Sequence, residues 1–499
     1  MPGSRASARL FGPLATRPEQ TALEFEGKTY SYGDLDRLSA RFAAGLGAFR
    51  VGPGDAVAVR MPTCPEAVVA LLGILRAAAV HVPLNPAFGK EEAGHILEDS
   101  GAKLTVAPSA EAGASGSEIA FEKVLAAGTA RGVSPDGGDD DATALLLYTS
   151  GTTGTSKGVE LSVRAAVSNL GGVASLWRIG PGDRVAVALP LFHVHGLGLG
   201  VLGSLLHGAT VLLDRKFDAA SIVDGFRTRG ATVFMGVPTM YVRLLEHLRE
   251  APGAAPALSK GRLFTSGSAP LRAADFEAFR EATGHAVLER YGMTETLFTL
   301  SNPYDGERRP GSVGLPVPGC EERIVDDAGR DVGPGETGEL LVRSSGLMTR
   351  YRNRPGETAA AFRNGWFLTG DAASRAPDGY VSLHGRKAVD FVKSGGYRIS
   401  AREIEDVLSR HPSVAEVAVV GLPDRVWGER VAAVVRCAAG ADAAAVPGQL
   451  RDLAASALAS YKRPRDIVLV DDFPRTPLGK IRKTALAAAL GGPNEPPHG

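Results

Sequence analysis

The run Tyr148 to Gly158, YTSGTTGTSKG, has the clearest chemical character in the sequence. It holds six Ser and Thr hydroxyls, three glycines and Lys157, directly after the apolar stretch Ala144 to Leu147. Glycines let backbone N–H groups approach an anion, hydroxyls add donors, and the lysine adds a positive charge. The run therefore predicts a phosphate-binding loop at the end of a buried strand. It differs from the P-loop of nucleoside triphosphatases, because Ser156 precedes the lysine and Gly158 follows it.

Four further segments carry side chains suited to nucleotide chemistry: RYGMTET at Arg290 to Thr296, GWFLTGD at Gly365 to Asp371, GRKAVDFVKSGGYRISAREIE at Gly385 to Glu405, and PRTPLGK at Pro474 to Lys480. The first combines an aromatic ring that can flank a base, threonine hydroxyls for phosphate and the Glu295 carboxylate for Mg²⁺, although a capped polar loop is an alternative. In the second, Asp371 can accept both hydroxyls of a ribose or be an ordinary turn residue. In the third, Arg386 stands shortly before paired glycines, which indicate a sharp turn or a close approach to a ligand. In the fourth, Lys480 follows a glycine, and a solvated surface lysine is the alternative.

Composition narrows the class of protein. The 499 residues balance 55 Lys and Arg against 55 Asp and Glu, so overall charge gives no case for nucleic acid or an anionic membrane. The three cysteines are far apart and match no metal or disulfide pattern, which favours a reducing compartment. The longest apolar stretches, Ala67 to Val82 and Leu197 to Leu213, are interrupted by Arg76 and His207. We expect a soluble, cytoplasmic protein without stable membrane association, and the N-terminal arginines leave a short organellar presequence open.

The elements around these motifs predict an α/β fold. Short β-branched runs alternate with alanine-rich amphipathic segments over most of the first 300 residues, a β-rich stretch follows from Cys320 to His384, and a small α+β unit begins after Gly385. Ser109 to Asp141 is predicted as a surface connection, and the end of the chain as a disordered tail. The predicted strands include Ala56 to Val59, Leu104 to Ala107, Ala231 to Gly236, Val414 to Val420, Arg430 to Arg436 and Asp466 to Val470, and the predicted helices include Glu66 to Ala78, Met240 to Arg249, Ala401 to Ser409 and Gln449 to Tyr461.

In this order and spacing, the five motifs resemble the signature motifs of the adenylate-forming acyl-CoA synthetase superfamily, over about residues 20 to 485. The resemblance implies a large N-terminal adenylation domain of layered α/β subdomains and a β-rich subdomain (1–386), a small mobile C-terminal domain (387–490) and a tail (491–499). It also implies a two-step reaction with ATP, Mg²⁺ and coenzyme A. A carboxylate attacks the α-phosphorus of ATP to give an acyl-adenylate and pyrophosphate, and a thiol then displaces AMP.

The resemblance also implies roles for individual residues. Lys480 would bridge the carboxylate and the α-phosphate in adenylation and withdraw when the small domain rotates, which brings a CoA-binding loop to the pantetheine channel. One departure leaves the hinge open, because Ala388 stands where many relatives carry Asp or Lys, and Lys387 or Asp390 are candidates to replace it. A lysine acetyltransferase acting on Lys480 is a further implied partner. By the same resemblance, the β- and γ-phosphates would be bound by Thr149, Ser150, Gly151, Thr152, Thr153 and Lys157; the α-phosphate by Thr294; Mg²⁺ by Glu295 and Thr149; adenine by Gly267, Ser268, Ala269 and Tyr291; ribose by Asp371 and Arg386; and CoA by Gly395, Gly396 and Tyr397.

The acid side of the site is predicted from Leu189 to Gly200 and from Met235 to Leu245, segments that most resemble the malonate-activating branch of the superfamily. Arg243 would bind the second carboxylate of malonate or methylmalonate, because a buried arginine needs a counter-charge. Its alternatives are an internal partner, Glu246 or Asp224, or a path to solvent. His193 would gate the acyl pocket. His195 and Ser268 would touch the distal carboxylate, with ordinary packing as the alternative for His195.

Three other functions stay open at this point. A short- or medium-chain monocarboxylate–CoA ligase would share every nucleotide motif. An adenylating enzyme that loads a carrier protein would do so too, although the chain has no evident carrier domain. A dinucleotide-dependent oxidoreductase is the remote alternative, since Gly198 to Gly203, GLGVLG, matches GxGxxG and Asp224 lies about twenty residues further on.

Overall fold

The protein is represented by a computed structural model. The structure describes residues 5–108, 118–129, 139–149, 156–386, 391–394, 397–424, 426–475 and 479–491, without the side chains of residues 393, 397 and 398. Helices and strands alternate through most of these residues, so the predicted α/β class is confirmed. The strands are β1 Thr21–Phe25, β2 Lys28–Ser31, β3 Ala56–Val59, β4 Val80–Pro83, β5 Leu104–Ala107, β6 Glu118–Ala120, β7 Thr143–Thr149, β8 Lys157–Ser162, β9 Arg184–Val187, β10 Thr210–Leu213, β11 Val233–Gly236, β12 Leu263–Ser266, β13 Leu288–Met293, β14 Leu297–Ser301, β15 Leu315–Pro316, β16 Cys320–Val325, β17 Gly338–Ser344, β18 Arg350–Tyr351, β19 Phe362–Arg363, β20 Trp366–Arg375, β21 Val381–Arg386, β22 Phe391–Ser394, β23 Tyr397–Ser400, β24 Val414–Asp424, β25 Gly428–Cys437 and β26 Asp466–Leu469.

Helices cover these sheets and follow many of their strands. One of them, His195–Gly203, is a nine-residue π-helix in which every residue is buried. The α-helices are α1 Ala6–Thr16, α2 Tyr32–Ala48, α3 Pro65–Arg76, α4 Lys90–Ser100, α5 Phe121–Ala127, α6 Val163–Leu176, α7 Ser204–Leu206, α8 Ala219–Arg227, α9 Pro238–Glu250, α10 Ala255–Leu258, α11 Ala273–Thr283, α12 Pro355–Ala360, α13 Ala401–Leu408, α14 Val446–Ala457 and α15 Lys483–Leu490; short 3₁₀ turns lie at Pro252–Ala254 and Ser460–Lys462. Within the described residues, no helix has the length and apolar character needed to cross a membrane.

The chain divides into two compact units. The first comprises Met1–Glu322 with Val342–Phe367, and the second comprises Arg323–Leu341 with Leu368–Gly499. The larger unit has one extensive core in which aromatic side chains such as Trp177, Phe264 and Phe279 are fully buried.

A nine-stranded sheet runs through the first unit in the order β15-β14-β13-β12-β11-β9-β10-β1-β2. From β13 to β1 each neighbouring pair is parallel. Strands β10, β11 and β12 are buried along their whole length, as expected for a parallel sheet covered on both faces. The residues that follow β9, β11, β12 and β13 therefore leave the sheet at one edge, where α/β folds bind their ligands.

A seven-stranded sheet in the same unit has the order β18-β8-β7-β4-β3-β5-β6. Strands β7 and β8 are antiparallel, with Thr149 opposite Lys157 at the end of the pair. Ala144 to Leu147 are buried in β7, which confirms the strand predicted before the Tyr148 to Gly158 run.

The remaining strands form two smaller sheets. One has the order β16-β17-β20-β19 with β21 beside β20, and the other has the order β23-β22-β25-β24 with β26 beside β25. On α13 the predicted apolar face is confirmed, because Ile404, Val407 and Leu408 are buried against β24 and its neighbours.

Most differences from the predicted elements lie at helix ends. Helix α3 stops at Arg76, two residues early, because Ala78 adopts left-handed backbone dihedrals with φ of 54°. The surface connection predicted for Ser109 to Asp141 is wrong in its middle. There β6 extends the sheet beside β5, and α5 buries Phe121 and Val124. The alanine-rich composition concealed this short helix, since few apolar residues fix it.

Candidate active site

Two strands frame the predicted phosphate-binding loop. Thr149 ends β7 and Lys157 begins β8 opposite it, while Ser150, Gly151, Thr152 and Thr153 lie outside the described residues. The glycine after the lysine has a steric reason. A Cβ on Gly158 would lie 3.0 Å from the Tyr148 ring and 2.9 Å from Leu146 Cδ1, so Tyr148 packs across the strand only because this residue has no side chain.

Helix α4 holds the chain on both sides of that loop. On the N-terminal side, the Tyr148 hydroxyl donates to Asp99 Oδ2 at 2.8 Å. On the C-terminal side, His95 Nε2 lies 3.0 Å from the carbonyl oxygen of Ser156. Since a carbonyl only accepts, this nitrogen carries the proton. Neither residue was among the predicted site residues, because their positions on α4 have no motif of their own.

Lys157 and Glu295, predicted to bind phosphate and Mg²⁺, approach the same tyrosine. The Lys157 ammonium lies 5.3 Å from the centre of the Tyr351 ring, and it forms an ion pair with Glu357. The Tyr351 hydroxyl donates to Glu295 Oε1 at 3.0 Å. The structure therefore brings the lysine and the carboxylate to one place, with Tyr351 and Glu357 as neighbours that the sequence motifs did not reveal.

The donors around Glu295 fit Mg²⁺ bound together with a nucleotide. Among the described residues no cluster of three or more His, Cys, Asp and Glu side chains could hold a metal alone. Glu295 is buried, with 7% of its surface exposed, and offers a hard carboxylate oxygen. Because Mg²⁺ is usually bound by one or two carboxylates with substrate phosphates and water, this arrangement matches the ion.

The β13–β14 hairpin presents Tyr291, Thr294 and Glu295. Its turn requires Gly292, since a Cβ there would lie 1.9 Å from the Leu297 carbonyl oxygen. A register shift between Tyr291 and Gly292 marks a bulge, a feature that commonly redirects side chains beside active sites.

The segment Gly267, Ser268 and Ala269 follows the neighbouring strand β12 at the same edge of the sheet. Gly267 is buried and Ser268 is exposed, with a left-handed φ of 68°. A non-glycine residue rarely adopts this conformation, and such residues cluster at functional sites.

Arg290, on β13, is a buried cation that the sequence motifs did not single out. It is 4% exposed, and its Nε and Nη2 have no hydrogen-bond partner among the described residues. Its guanidinium carbon lies 4.5 Å above the Phe298 ring. Gly267 leaves the space for it, since a Cβ there would lie 2.5 Å from that carbon. Burial lowers the pKa of Arg290 to about 9, so it stays charged at neutral pH.

Two buried histidines lie in the segment that follows β9. His195 begins the π-helix, its ring centre lies 6.3 Å from that of Phe298, and neither ring nitrogen has a partner among the described residues. Burial, with the charge of Arg290 as a smaller cause, lowers the pKa of His195. Burial also lowers the pKa of His193 to about 4, and its Nε2 is likewise unpartnered in the described part of the chain. Both rings are therefore neutral at pH 7.

Arg290 and the histidines are not alone at this edge of the sheet. The hydroxyls of Thr265 and Ser266, at the end of β12, are buried and have no hydrogen-bond partner within the described ranges. Buried polar groups are normally paired, so several unpaired ones along one sheet edge indicate a place for a polar ligand.

The burial of Arg243 differs from the sequence-based expectation. The argument for it assumed a buried arginine, but Arg243 is exposed on α9, whose buried side contains Tyr241, Leu244 and Leu248. Neither internal acid is an observed partner: Asp224 instead accepts from the Thr228 hydroxyl, and the described residues show no ion pair between Arg243 and Glu246. Arg290, in contrast, is a buried arginine with no ion pair among the described residues, and a role for Arg243 in acid binding stays a prediction.

The GLGVLG segment lies inside the buried π-helix. In a dinucleotide-binding fold these glycines would form the turn between a strand and a helix. Here they allow close packing instead: a Cβ on Gly198 would lie 3.3 Å from Leu170 Cδ2, and one on Gly203 would lie 3.1 Å from Leu199 Cδ1. The oxidoreductase alternative therefore loses the motif that suggested it.

In the second unit, the two predicted ribose-binding residues face each other. Asp371 on β20 pairs in register with Arg386 on β21, and Arg386 Nε lies 2.9 Å from Asp371 Oδ1. Arg386 Nη1 also donates to the Thr369 carbonyl at 3.1 Å. These contacts fix both side chains at one end of the β20–β21 pair.

Lys480 is exposed at the end of a short loop in the same unit. Arg475 and Ile481 form a β-bridge across the loop, and Arg475 Nη1 donates to the Gly479 carbonyl at 3.1 Å. Tyr397 begins β23, without a described side chain. The predicted CoA-binding glycines, Gly395 and Gly396, and the hinge candidates Lys387, Ala388 and Asp390 lie outside the described residues.

Comparison with known proteins defines the class. The model of the AMP-binding enzyme family matches residues 12–352, and the model of the AMP-binding enzyme C-terminal domain matches residues 403–480. The chain belongs to the AMP-binding enzyme family, which confirms the resemblance drawn from the five motifs.

Particular relatives are ligases of different acids. The mitochondrial malonate–CoA ligase of Mus musculus is 40% identical over 70% of this chain, and the chain spans 65% of the length of that relative. The indoleacetate–CoA ligase of Aromatoleum aromaticum is 36% identical over 93% of this chain and 94% of its own.

Solved structures agree with this fold. ATP-bound MatB from Rhodopseudomonas palustris is 35% identical with a TM-score of 0.90, over 98% of this chain and 99% of its own. A malonyl-CoA ligase with methylmalonyl-CoA and AMP bound is 43% identical with a TM-score of 0.69, over 93% of this chain and 100% of its own.

Proposed function

We propose that the protein is an ATP-dependent acid–CoA ligase that activates malonate, forming malonyl-adenylate and then malonyl-CoA with release of pyrophosphate and AMP. The observation that carries the choice of acid is Arg290, a buried guanidinium with two nitrogens unpartnered among the described residues. The similarity to malonate–CoA ligase and malonyl-CoA ligase supports the same choice.

A dicarboxylate can neutralise the charge of Arg290 while it reacts with ATP, whereas a monocarboxylate cannot. One carboxylate of malonate must attack ATP, so only the second carboxylate is left to pair with a buried cation. Arginine pairs with carboxylates through two parallel hydrogen bonds, and such pairs are strongest away from water. The neutral rings of His193 and His195 offer further hydrogen bonds there without adding positive charge.

In this proposal, residues from several motifs bind the nucleotide. Lys157 binds the β- and γ-phosphates, Thr294 the α-phosphate, and Tyr291 packs against adenine beside Gly267, Ser268 and Ala269. Glu295 would hold Mg²⁺ together with Thr149, and the ion would neutralise phosphate charge during in-line displacement. Asp371 and Arg386 hold the ribose.

The small C-terminal domain takes part in both half-reactions in this proposal. We assign residues 1–386 to adenylation and residues 387–490 to a domain that rotates between the half-reactions. Lys480 stabilises charge on the carboxylate and the α-phosphate in the first step. The Gly395, Gly396 and Tyr397 loop serves CoA in the second. The exposure of Lys480 is compatible with acetylation, which would remove its charge.

A panel of acids tests this function. The purified protein is incubated with ATP, Mg²⁺, CoA and either malonate, methylmalonate, butyrate or indoleacetate, and both AMP and the acyl-CoA product are measured. We expect malonyl-CoA to form with the highest kcat/KM. Faster turnover of butyrate or indoleacetate would contradict the choice of acid, and turnover only with a phosphopantetheinylated carrier protein would contradict the choice of thiol.

A further inference from the structure

The lysine predicted to grip ATP already has an anionic partner within the protein. Lys157 forms an ion pair with Glu357, on the first turn of α12. The two side chains are 21% and 39% exposed, so the pair lies at the surface of the site and is open to solvent. The lysine lowers the pKa of Glu357, chiefly through their hydrogen bond, which keeps the carboxylate charged at neutral pH.

Local structure fixes the position of Glu357. Helix α12 begins at Pro355, and the Thr358 hydroxyl donates to the Arg354 carbonyl at 2.8 Å while accepting from the Tyr351 backbone N–H at 3.0 Å. These bonds tie the helix to β18, the strand that carries the Tyr351 ring beneath the lysine. These bonds therefore position the backbone of Glu357 so that its carboxylate can reach the lysine.

We propose that Glu357 is an internal counter-ion of Lys157, which competes with the phosphates of ATP for the lysine. The inference rests on the proposed binding of ATP at the Tyr148 to Gly158 loop. Without nucleotide, Glu357 neutralises the lysine against the face of Tyr351. When ATP binds, its phosphates displace the carboxylate, and the measured affinity is reduced by the free energy of breaking the internal pair.

A second cation already contacts the same carboxylate. Arg354 Nη1 lies 3.4 Å from Glu357 Oε1, whereas Lys157 pairs with Oε2. Glu357 can therefore keep Arg354 as a partner when the phosphates displace it from the lysine. The retained partner keeps the competition modest, as expected for a solvent-exposed pair.

Calorimetric binding of Mg·ATP, with the acid omitted so that no turnover occurs, tests the proposal. Glu357→Gln keeps the shape of the side chain and removes its charge, and we expect it to lower the Kd for Mg·ATP about two- to fivefold. The matched control is Glu277→Gln on α11. Glu277 is similarly exposed, at 41%, and pairs with Arg280 on its own helix, so this variant should bind as the wild type does.

A double mutant separates competition from general repulsion. Lys157→Ala should weaken Mg·ATP binding. Adding Glu357→Gln to this variant should not change the Kd further, because the lysine for which Glu357 and the phosphates compete is absent. Equal tightening in both backgrounds, or none in the single variant, would overturn the proposal alone. Unaltered affinity in Lys157→Ala would overturn both this inference and the assignment of the phosphate-binding loop, whereas the choice of malonate is tested separately by the acid panel.

Discussion

Replacement of Arg290 by methionine should make the ligand-free protein more stable and the enzyme less able to use malonate. Methionine has a similar length and no charge, and Gly267 already provides the space for a long side chain against Phe298. A functional residue buried without a counter-charge destabilises the free protein, and its replacement relieves that effect.

The pKa of Arg290 gives the size of the effect. Its fall to about 9 corresponds to about 5 kcal/mol at about 1.36 kcal/mol per pKa unit, an upper bound on the unfavourable free energy of the buried charge. The cation–π contact with Phe298 offsets about 0.5–2 kcal/mol of this unfavourable free energy. We therefore expect Arg290→Met to raise the free energy of unfolding by about 1–3 kcal/mol, after loss of the guanidinium packing is included.

Urea unfolding and substrate kinetics together test this reasoning. The variant should unfold at higher urea concentration without ligand, and its kcat/KM for malonate should fall at least about tenfold while that for butyrate is retained. Gly267→Ala, which places a methyl group on the guanidinium, should lower malonate use as well. A less stable Arg290→Met protein with an unchanged preference for malonate would refute the assignment.

Three other changes have defined outcomes. Arg243→Ala should lower kcat/KM for malonate about tenfold more than for butyrate, and an unchanged ratio would remove Arg243 from the acid site. Lys480→Ala should slow adenylation about a hundred- to a thousandfold yet leave thioester formation from supplied acyl-adenylate intact; equal loss in both steps would contradict its role. His81 is fully buried in β4 with its pKa lowered to about 3, so it stays neutral in the folded state while the unfolded chain binds a proton below about pH 6.5. Stability is therefore lost as the pH falls, and His81→Leu should reduce the loss in unfolding free energy between pH 7 and pH 5 by about 2 kcal/mol; an equal loss in both proteins would contradict this.

Residues predicted to act together on the nucleotide lie side by side in the structure because their pairing is local. Lys157 beside Thr149, and Asp371 facing Arg386, follow from strand pairs that short motifs encode. Likewise the strands Ala56–Val59 and Leu104–Ala107 match their predictions, since short apolar runs that contain β-branched residues are typical of buried strands in a parallel sheet.

The assumed burial of Arg243 was wrong, because burial depends on long-range packing. The sequence does not distinguish the burial of Arg243 from that of Arg290, and only the tertiary structure shows that the first is exposed and the second buried. Arg290 is the first residue of the RYGMTET motif, lies inside β13, and has its guanidinium beside Gly267. Glu357 had no such signal, because a glutamate in the first turn of a helix is common for reasons of the helix dipole alone.

Exchange of labelled pyrophosphate into ATP is the most direct test of the central claim, because it reports adenylation without CoA. Malonate should support rapid exchange in the wild-type protein, and butyrate should be at least about tenfold slower. Exchange driven equally well by butyrate, or its absence with malonate, would contradict the account.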